Sequence, residues 1–136
     1  MKKLKVNAER CTGCESCVLS CSFAHWDSFS LTLSRVLVDR QTEHARFIPR
    51  VCIQCEERLC VQACPVGALS VNLETGAIAV AKDLCMGCRM CERACPYKGI
   101  HFVREMMTPL VCDLCGGDPE CVQVCQKPKA LEFVEY

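Results

Sequence analysis

Sixteen cysteines in 136 residues, falling into four groups of four, constrain this chain more than any other feature of its sequence. Cys11, Cys14, Cys17 and Cys21 form the first group, and Cys52, Cys55, Cys60 and Cys64 the second. Cys85, Cys88, Cys91 and Cys95 form the third, Cys112, Cys115, Cys121 and Cys125 the fourth, and none is left over. The first and third groups have the spacing C-x2-C-x2-C-x3-C, whereas the second and fourth widen the middle gap to four and five residues. One Trp, two Tyr and five Phe are the only aromatic residues, so much of the 51% hydrophobic content is thiol. Something other than side chains must fill the interior.

Narrow and wide groups alternate, which suggests that residues 4–73 are repeated in residues 78–136. Residues besides Cys support the repeat. Val6-Asn7-Ala8-Glu9-Arg10 ahead of the first group resembles Val80-Ala81-Lys82-Asp83-Leu84 ahead of the third, and Pro49-Arg50-Val51 resembles Pro109-Leu110-Val111. After the wide groups, Ala68-Leu69-Ser70-Val71 matches Ala130-Leu131-Glu132-Phe133. The first half carries about fourteen extra residues, and they lie between Cys21 and Cys52. Residues 69–80 read as a β-hairpin around Glu74-Thr75-Gly76, where Gly supplies a positive φ. By the repeat, a strand at 130–134 pairs with one at 4–6, which sets the chain ends side by side and relates the halves by a pseudo-two-fold axis.

Disulfides, zinc and iron–sulfur clusters all call for many cysteines. Disulfides need an oxidising compartment, and Met1-Lys2-Lys3-Leu4-Lys5-Val6-Asn7 has no apolar region of a secretory leader. With no long apolar stretch either, the expectation is a soluble, cytoplasmic chain that inserts in no membrane. Zinc ribbons use two separated C-x2-C knuckles and do not call for a third and fourth Cys at regular offsets in every group. Lys plus Arg and Asp plus Glu balance at sixteen each, so no basic face suggests a nucleic-acid partner. A 4Fe–4S core with four thiolates carries −2, so four of them bring the holoprotein to about −8. Arg10, Arg50, Arg58, Lys82, Arg89 and Arg93 lie beside the cysteines and can offset part of that charge.

In residues 52–100, Cys64-Pro65 and Cys95-Pro96 carry the trailing proline, and the hairpin lies between their two groups. This stretch resembles a bacterial two-cluster ferredoxin, in which the fourth Cys of each run ligates the other cluster. The resemblance implies one cluster on Cys52, Cys55, Cys60 and Cys95, and a neighbour on Cys85, Cys88, Cys91 and Cys64. The outer groups then pair with each other: Cys11, Cys14, Cys17 and Cys125 for a third cluster, and Cys112, Cys115, Cys121 and Cys21 for the fourth. Cys21 and Cys125 depart from the pattern, being followed by Ser22 and Gln126. Pairing the groups sequentially uses the same residues but leaves the 69–80 hairpin no pair of groups to join. The expected fold is α+β: an inner ferredoxin module at 52–100 nested in an outer one at 1–51 plus 101–136, with short hairpins and helices around four 4Fe–4S clusters and an insertion at about 22–51. Gly13 and Gly87, at matching places in the narrow loops, would let the backbone approach the inorganic sulfides.

Sixteen thiolates over four clusters leave no iron open to substrate, and the sequence has no radical motif, dinucleotide fingerprint or nucleophile–base pair. The chain therefore reads as an electron carrier with no catalytic site of its own. Over nearly its whole length it resembles the four-cluster subunits that accompany molybdenum or tungsten pterin enzymes, some hydrogenases, formate dehydrogenases and carbon monoxide dehydrogenases. The compact length and the segment CSFAHWDSFSLTLSRVLV look most like the small subunits of tungsten-containing aldehyde oxidoreductases. That resemblance implies a catalytic pterin subunit as partner and admits a flavin-containing subunit. A free, diffusible polyferredoxin is the alternative. His25, Trp26, Phe29, Leu31 and Leu33 of the insertion are candidates for a docking surface. His25, His44 and His101 read as packing or surface residues, and Met106-Met107 as gap fillers.

Overall fold

The computed structural model describes residues 2–103, 106–125 and 129–135. Gln126, which bears on the departure at Cys125, lies outside them. Strand β1 (Lys2–Val6) leads through a single 3-10 turn (Ala8–Arg10) into the first cysteine loop and helix α1 (Ser16–Trp26). Strands β2 (Leu37–Gln41) and β3 (Arg46–Arg50) precede the second loop, which ends in helix α2 (Leu59–Ala63). Strands β4 (Leu69–Val71) and β5 (Ile78–Val80) follow, then the third loop with helix α3 (Met90–Ala94). Strands β6 (Ile100–His101) and β7 (Leu110–Val111), helix α4 (Glu120–Val124) and strand β8 (Leu131–Glu135) complete the order.

The strands form four separate two-stranded antiparallel sheets. The hairpin at 69–80 is present, with Leu69 opposite Val80. Its turn is an Asx-turn: Asn72 Oδ1 accepts from the N–H of Glu74 at 2.8 Å and of Thr75 at 3.3 Å. Strand β1 pairs with β8, Leu4 opposite Phe133, so the ends of the described chain run side by side. Leu4 and Leu131 are both 1% exposed and seal this sheet against the core.

Helix α1 packs on α4, and α2 on α3, so each outer loop's helix meets the other outer loop's helix and the inner ones meet each other. The extra residues of the first half went into two elements. Helix α1 has eleven residues where α3 has five, and β2 and β3 have five each where β6 and β7 have two. The β2–β3 hairpin was not foreseen. Pro49 sits in β3 opposite Val38, a residue tolerated because each two-stranded sheet is all edge.

The longer helix explains one departure from the ferredoxin pattern. Cys64 and Cys95 end α2 and α3 in extended backbone, the geometry the following proline enforces. Cys21 lies in mid-helix, where a following proline would break α1. Ser22 stands there instead; its hydroxyl donates to the Leu19 carbonyl and accepts from the Ser30 N–H at 3.0 Å.

Candidate iron–sulfur centres

The residue just before the second cysteine of every group has left-handed backbone: Gly13 at φ 74°, Gln54 at 59°, Gly87 at 71° and Leu114 at 57°. At Gly13, Gln54 and Leu114 the backbone N–H reaches back to the sulfur of the first cysteine in the same group. In the narrow loops Gly also makes room for protein rather than for sulfide alone. A Cβ on Gly13 would meet the Phe47 ring at 2.6 Å, and one on Gly87 would meet Met107 at 3.1 Å. Helices α1, α2 and α3 each begin after another left-handed residue, Glu15, Arg58 and Arg89, whereas α4 begins after Pro119, whose ring forbids it.

All sixteen thiols are free, and they gather in fours. A small pocket is lined by Cys11, Cys14, Cys17 and Cys125. A second is lined by Cys52, Cys55, Cys60 and Cys95, and a third by Cys64, Cys85, Cys88 and Cys91. Cys21 lies within electrostatic reach of Cys112, Cys115 and Cys121. Three further pairs lie within electrostatic reach across these sets: Cys17 with Cys121, Cys52 with Cys112, and Cys60 with Cys91.

Backbone N–H groups donate to the last cysteine of three groups. The N–H of Ala68 donates to Cys64 Sγ at 3.2 Å, and that of Gly99 to Cys95 Sγ at 3.4 Å, each four residues on. At Cys21 the helix occupies that N–H, and Arg35 from the insertion supplies the donor at 3.3 Å. Such bonds stabilise thiolate and tune the potential of whatever it ligates.

Burial is the main force on most of the thiols. It raises Cys17 and Cys52 to about 12 and Cys91 to about 11, with neighbouring thiols adding to the rise. At Cys21 burial pushes upward too, but hydrogen bonds from His25, the Arg35 N–H and Ser34 outweigh it and leave the thiol lowered. A raised folded value means that the cluster-free fold favours the neutral thiol: that stabilisation is present below about 9 and lost as pH rises through about 12. Ligation needs the thiolate and expels the proton. Anaerobic reconstitution with iron and sulfide is therefore expected to go further at about pH 8.5 than at about pH 6.5, with proton release. A yield, followed by visible charge-transfer absorbance, that is flat across this range would contradict the assignment of buried neutral thiols.

His25 is more than packing. Its Nδ1–H donates to the Cys21 carbonyl at 2.8 Å and its Nε2–H to Asp113 Oδ1 at 3.0 Å, while Arg35 Nη1 holds the other Asp113 oxygen at 2.8 Å. The Asp113 hydrogen bond, helped by Cys21, raises His25 to about 10 and holds it as a cation. His25, Asp113 and Cys115 bring ligand atoms within 4.8 Å of one another, yet both His25 nitrogens are already engaged. His101 is half-buried and its Nε2 has no partner among the described residues. Of the basic residues singled out by position, Arg10 pairs with Glu132, Arg50 with Asp39 and Arg89 with Glu92. Sequence reasoning missed Arg35, Gln54 and Asp113; only the place of Gln54 and Asp113 inside C-x2-C loops could have flagged them.

Residues 43–135 match a family model described as a 4Fe-4S dicluster domain, and residues 10–68 match a second model of the same description. The chain belongs to the 4Fe-4S dicluster family. Two dicluster domains imply four 4Fe–4S clusters, and the donor set fits them: sixteen free thiols gathered in fours, with N–H groups directed at sulfur. This dicluster chain is 36% identical, over 90% of its length and 70% of the relative's, to the aliphatic sulfonate oxidoreductase, polyferredoxin-like subunit of Pyrococcus furiosus. It is 30% identical to one of the chains of the anaerobic dimethyl sulfoxide reductase of Escherichia coli, over 94% of this protein and 70% of that one. It is 32% identical to one of the subunits of the tetrathionate reductase of Salmonella typhimurium, over 88% of this protein and 52% of that one. Among solved structures, a component of the active site complex BamBC of benzoyl coenzyme A reductase with 1,5-dienoyl-CoA superposes at a TM-score of 0.58 and 27% identity, covering all of this protein and 76% of that one. No helix among the described residues is long and apolar enough to cross a membrane.

Proposed function

We propose that the chain is the electron-transfer subunit of a multisubunit oxidoreductase, holding four 4Fe–4S clusters in a row and catalysing no reaction itself. The observation that carries this reading is the gathering of thiols from distant groups, above all Cys125 with the first group and Cys95 with the second. The ligand sets are Cys11, Cys14, Cys17 and Cys125; Cys112, Cys115, Cys121 and Cys21; Cys52, Cys55, Cys60 and Cys95; and Cys85, Cys88, Cys91 and Cys64. The inner module spans 52–100 and the outer module 1–51 plus 101–136. The electrostatic proximity of Cys17 to Cys121, of Cys52 to Cys112 and of Cys60 to Cys91 supports the order just given, with the sets of Cys14 and Cys88 at the two ends. When bound, each cluster supplies a one-electron carrier, and short separations between neighbours permit transfer along the row. The protein's part is to hold the thiolates, aim N–H groups at them and cover them with apolar side chains.

The named relatives are subunits or chains of oxidoreductases, which supports a stable catalytic partner over a diffusible polyferredoxin. A tungsten or molybdenum pterin enzyme of the aldehyde oxidoreductase kind is the partner proposed, with a flavin-containing subunit on the other side. A docking face is available near the first end. Phe23 and Phe29 stack with centroids 4.8 Å apart, are 47% and 68% exposed, and line a groove with Leu19, Ala24 and Val124 between α1 and α4. Exposed stacked aromatics of this kind anchor interfaces.

Anaerobic purification under mild conditions is expected to bring down a larger chain containing tungsten or molybdenum, and Phe29→Asp is expected to release it while leaving iron and sulfide content unchanged. A monomer that exchanges electrons equally with unrelated reductases would refute the subunit reading.

A further inference from the structure

Gln54 is wholly buried, and every polar atom of its side chain has work. Its Nε2–H donates to the Cys112 carbonyl at 2.8 Å. Its Oε1 accepts from Arg58 Nη1 at 2.9 Å and from the Ile78 N–H at 3.2 Å, while Arg58 Nη2 donates to the Gly76 carbonyl at 2.6 Å. The backbone N–H of the same residue faces its own loop's Cys52 sulfur. One residue therefore touches both of the central thiol sets, its main chain serving the Cys52 set and its side chain the Cys112 set.

The sequence repeat shows how unusual this is. Leu114 occupies the matching position, with the same left-handed backbone, the same complete burial and the same backbone N–H donated to its own loop's sulfur, Cys112, at 3.4 Å. Pro119 stands where Arg58 does, two residues before the third cysteine. A leucine has no donor, and a proline no charge. Where the halves face each other, one presents an amide backed by a guanidinium and the other presents hydrocarbon. A cation on the carbonyl oxygen of an amide polarises it, strengthening the bond its N–H makes in a site of low dielectric. Positive potential directed at a ligand's peptide favours the electron-rich state of the group ligated.

We infer that Gln54, polarised by Arg58, is a positioning residue that pins the Cys112 loop to the Cys52 loop and raises the reduction potential of the cluster held by Cys112. The inference rests on the ligand sets proposed above. It makes the two central clusters electrically unequal although their loops are copies of one design, and so gives the middle of the row a built-in step.

The test is an anaerobic EPR-monitored redox titration of the holoprotein. Gln54→Met keeps length and removes the donor and the acceptor; Gln54→Glu keeps the acceptor toward Arg58 and Ile78, removes the donor and adds a carboxylate charge that the Arg58 guanidinium faces. Gln62, whose amide donates to the Glu57 carbonyl on the exposed side of the same loop, provides the control as Gln62→Ala. The expected result is a downward shift of one midpoint in both Gln54 variants, that midpoint being the one missing from Cys115→Ala protein, with no shift in the control. Gln54→Glu carries the test where Gln54→Met fails to assemble clusters. An unshifted set, an equal shift of all midpoints, or a shift confined to another cluster overturns the inference. If Cys115→Ala and Cys21→Ala remove different midpoints, the ligand sets fail instead.

Discussion

Cys21→Ala and Cys115→Ala are each expected to leave three intact four-iron clusters, and the double variant is expected to leave three as well. The reason is that both thiols are assigned to one cluster although 94 positions separate them, so the second removal acts on a site already lost. Cys21→Ala combined with Cys11→Ala should instead leave two, although those residues belong to one sequence group. A sequential arrangement, with the first group paired to the second, gives the opposite outcome for Cys21 with Cys115. EPR counting of intact clusters, together with iron analysis, separates the two. The proximity of Cys21 to Cys112, Cys115 and Cys121, and the packing of α1 on α4, both support the crossing arrangement.

Cysteine spacing and the repeat foretold a good part of this architecture, because the spacing of ligands around a compact cluster is rigid and leaves a regular trace in sequence. The pairing of β1 with β8 and the 69–80 hairpin followed from matching residues around the groups. The insertion was different. Its hairpin depends on partners across a turn at residues 42–45, and Ala45 adopts positive φ there with nothing in its side chain to announce it. The role of Gln54 was equally hidden, because it arises from contacts with Cys112, 58 positions away, and with Ile78, 24 away. From sequence His25 reads as a surface or packing residue, yet only the fold brings Asp113 and Arg35 to it and makes it a cation beside Cys21.

Removing iron should unfold the chain as a whole and not merely empty its sites. Among the described residues, seven of the twenty-one buried hydrophobic ones are cysteines, and none is aromatic. The remaining secondary structure has little stability of its own. Helices α2, α3 and α4 have five residues each, well short of the roughly 12–15 at which an isolated helix becomes even marginal, and a lone two-stranded sheet is marginal as well. A domain of this size is stable by about 5–15 kcal/mol in total, while even a single structural zinc ion in a zinc-finger peptide contributes about 10–16 kcal/mol. Loss of even one such site is comparable to the whole margin. Chelation under anaerobic, thiol-reducing conditions is therefore expected to abolish the far-UV signature of sheet and helix in a single transition. Retention of native-like circular dichroism and a cooperative thermal transition after complete iron removal would show that side chains alone can fill this core.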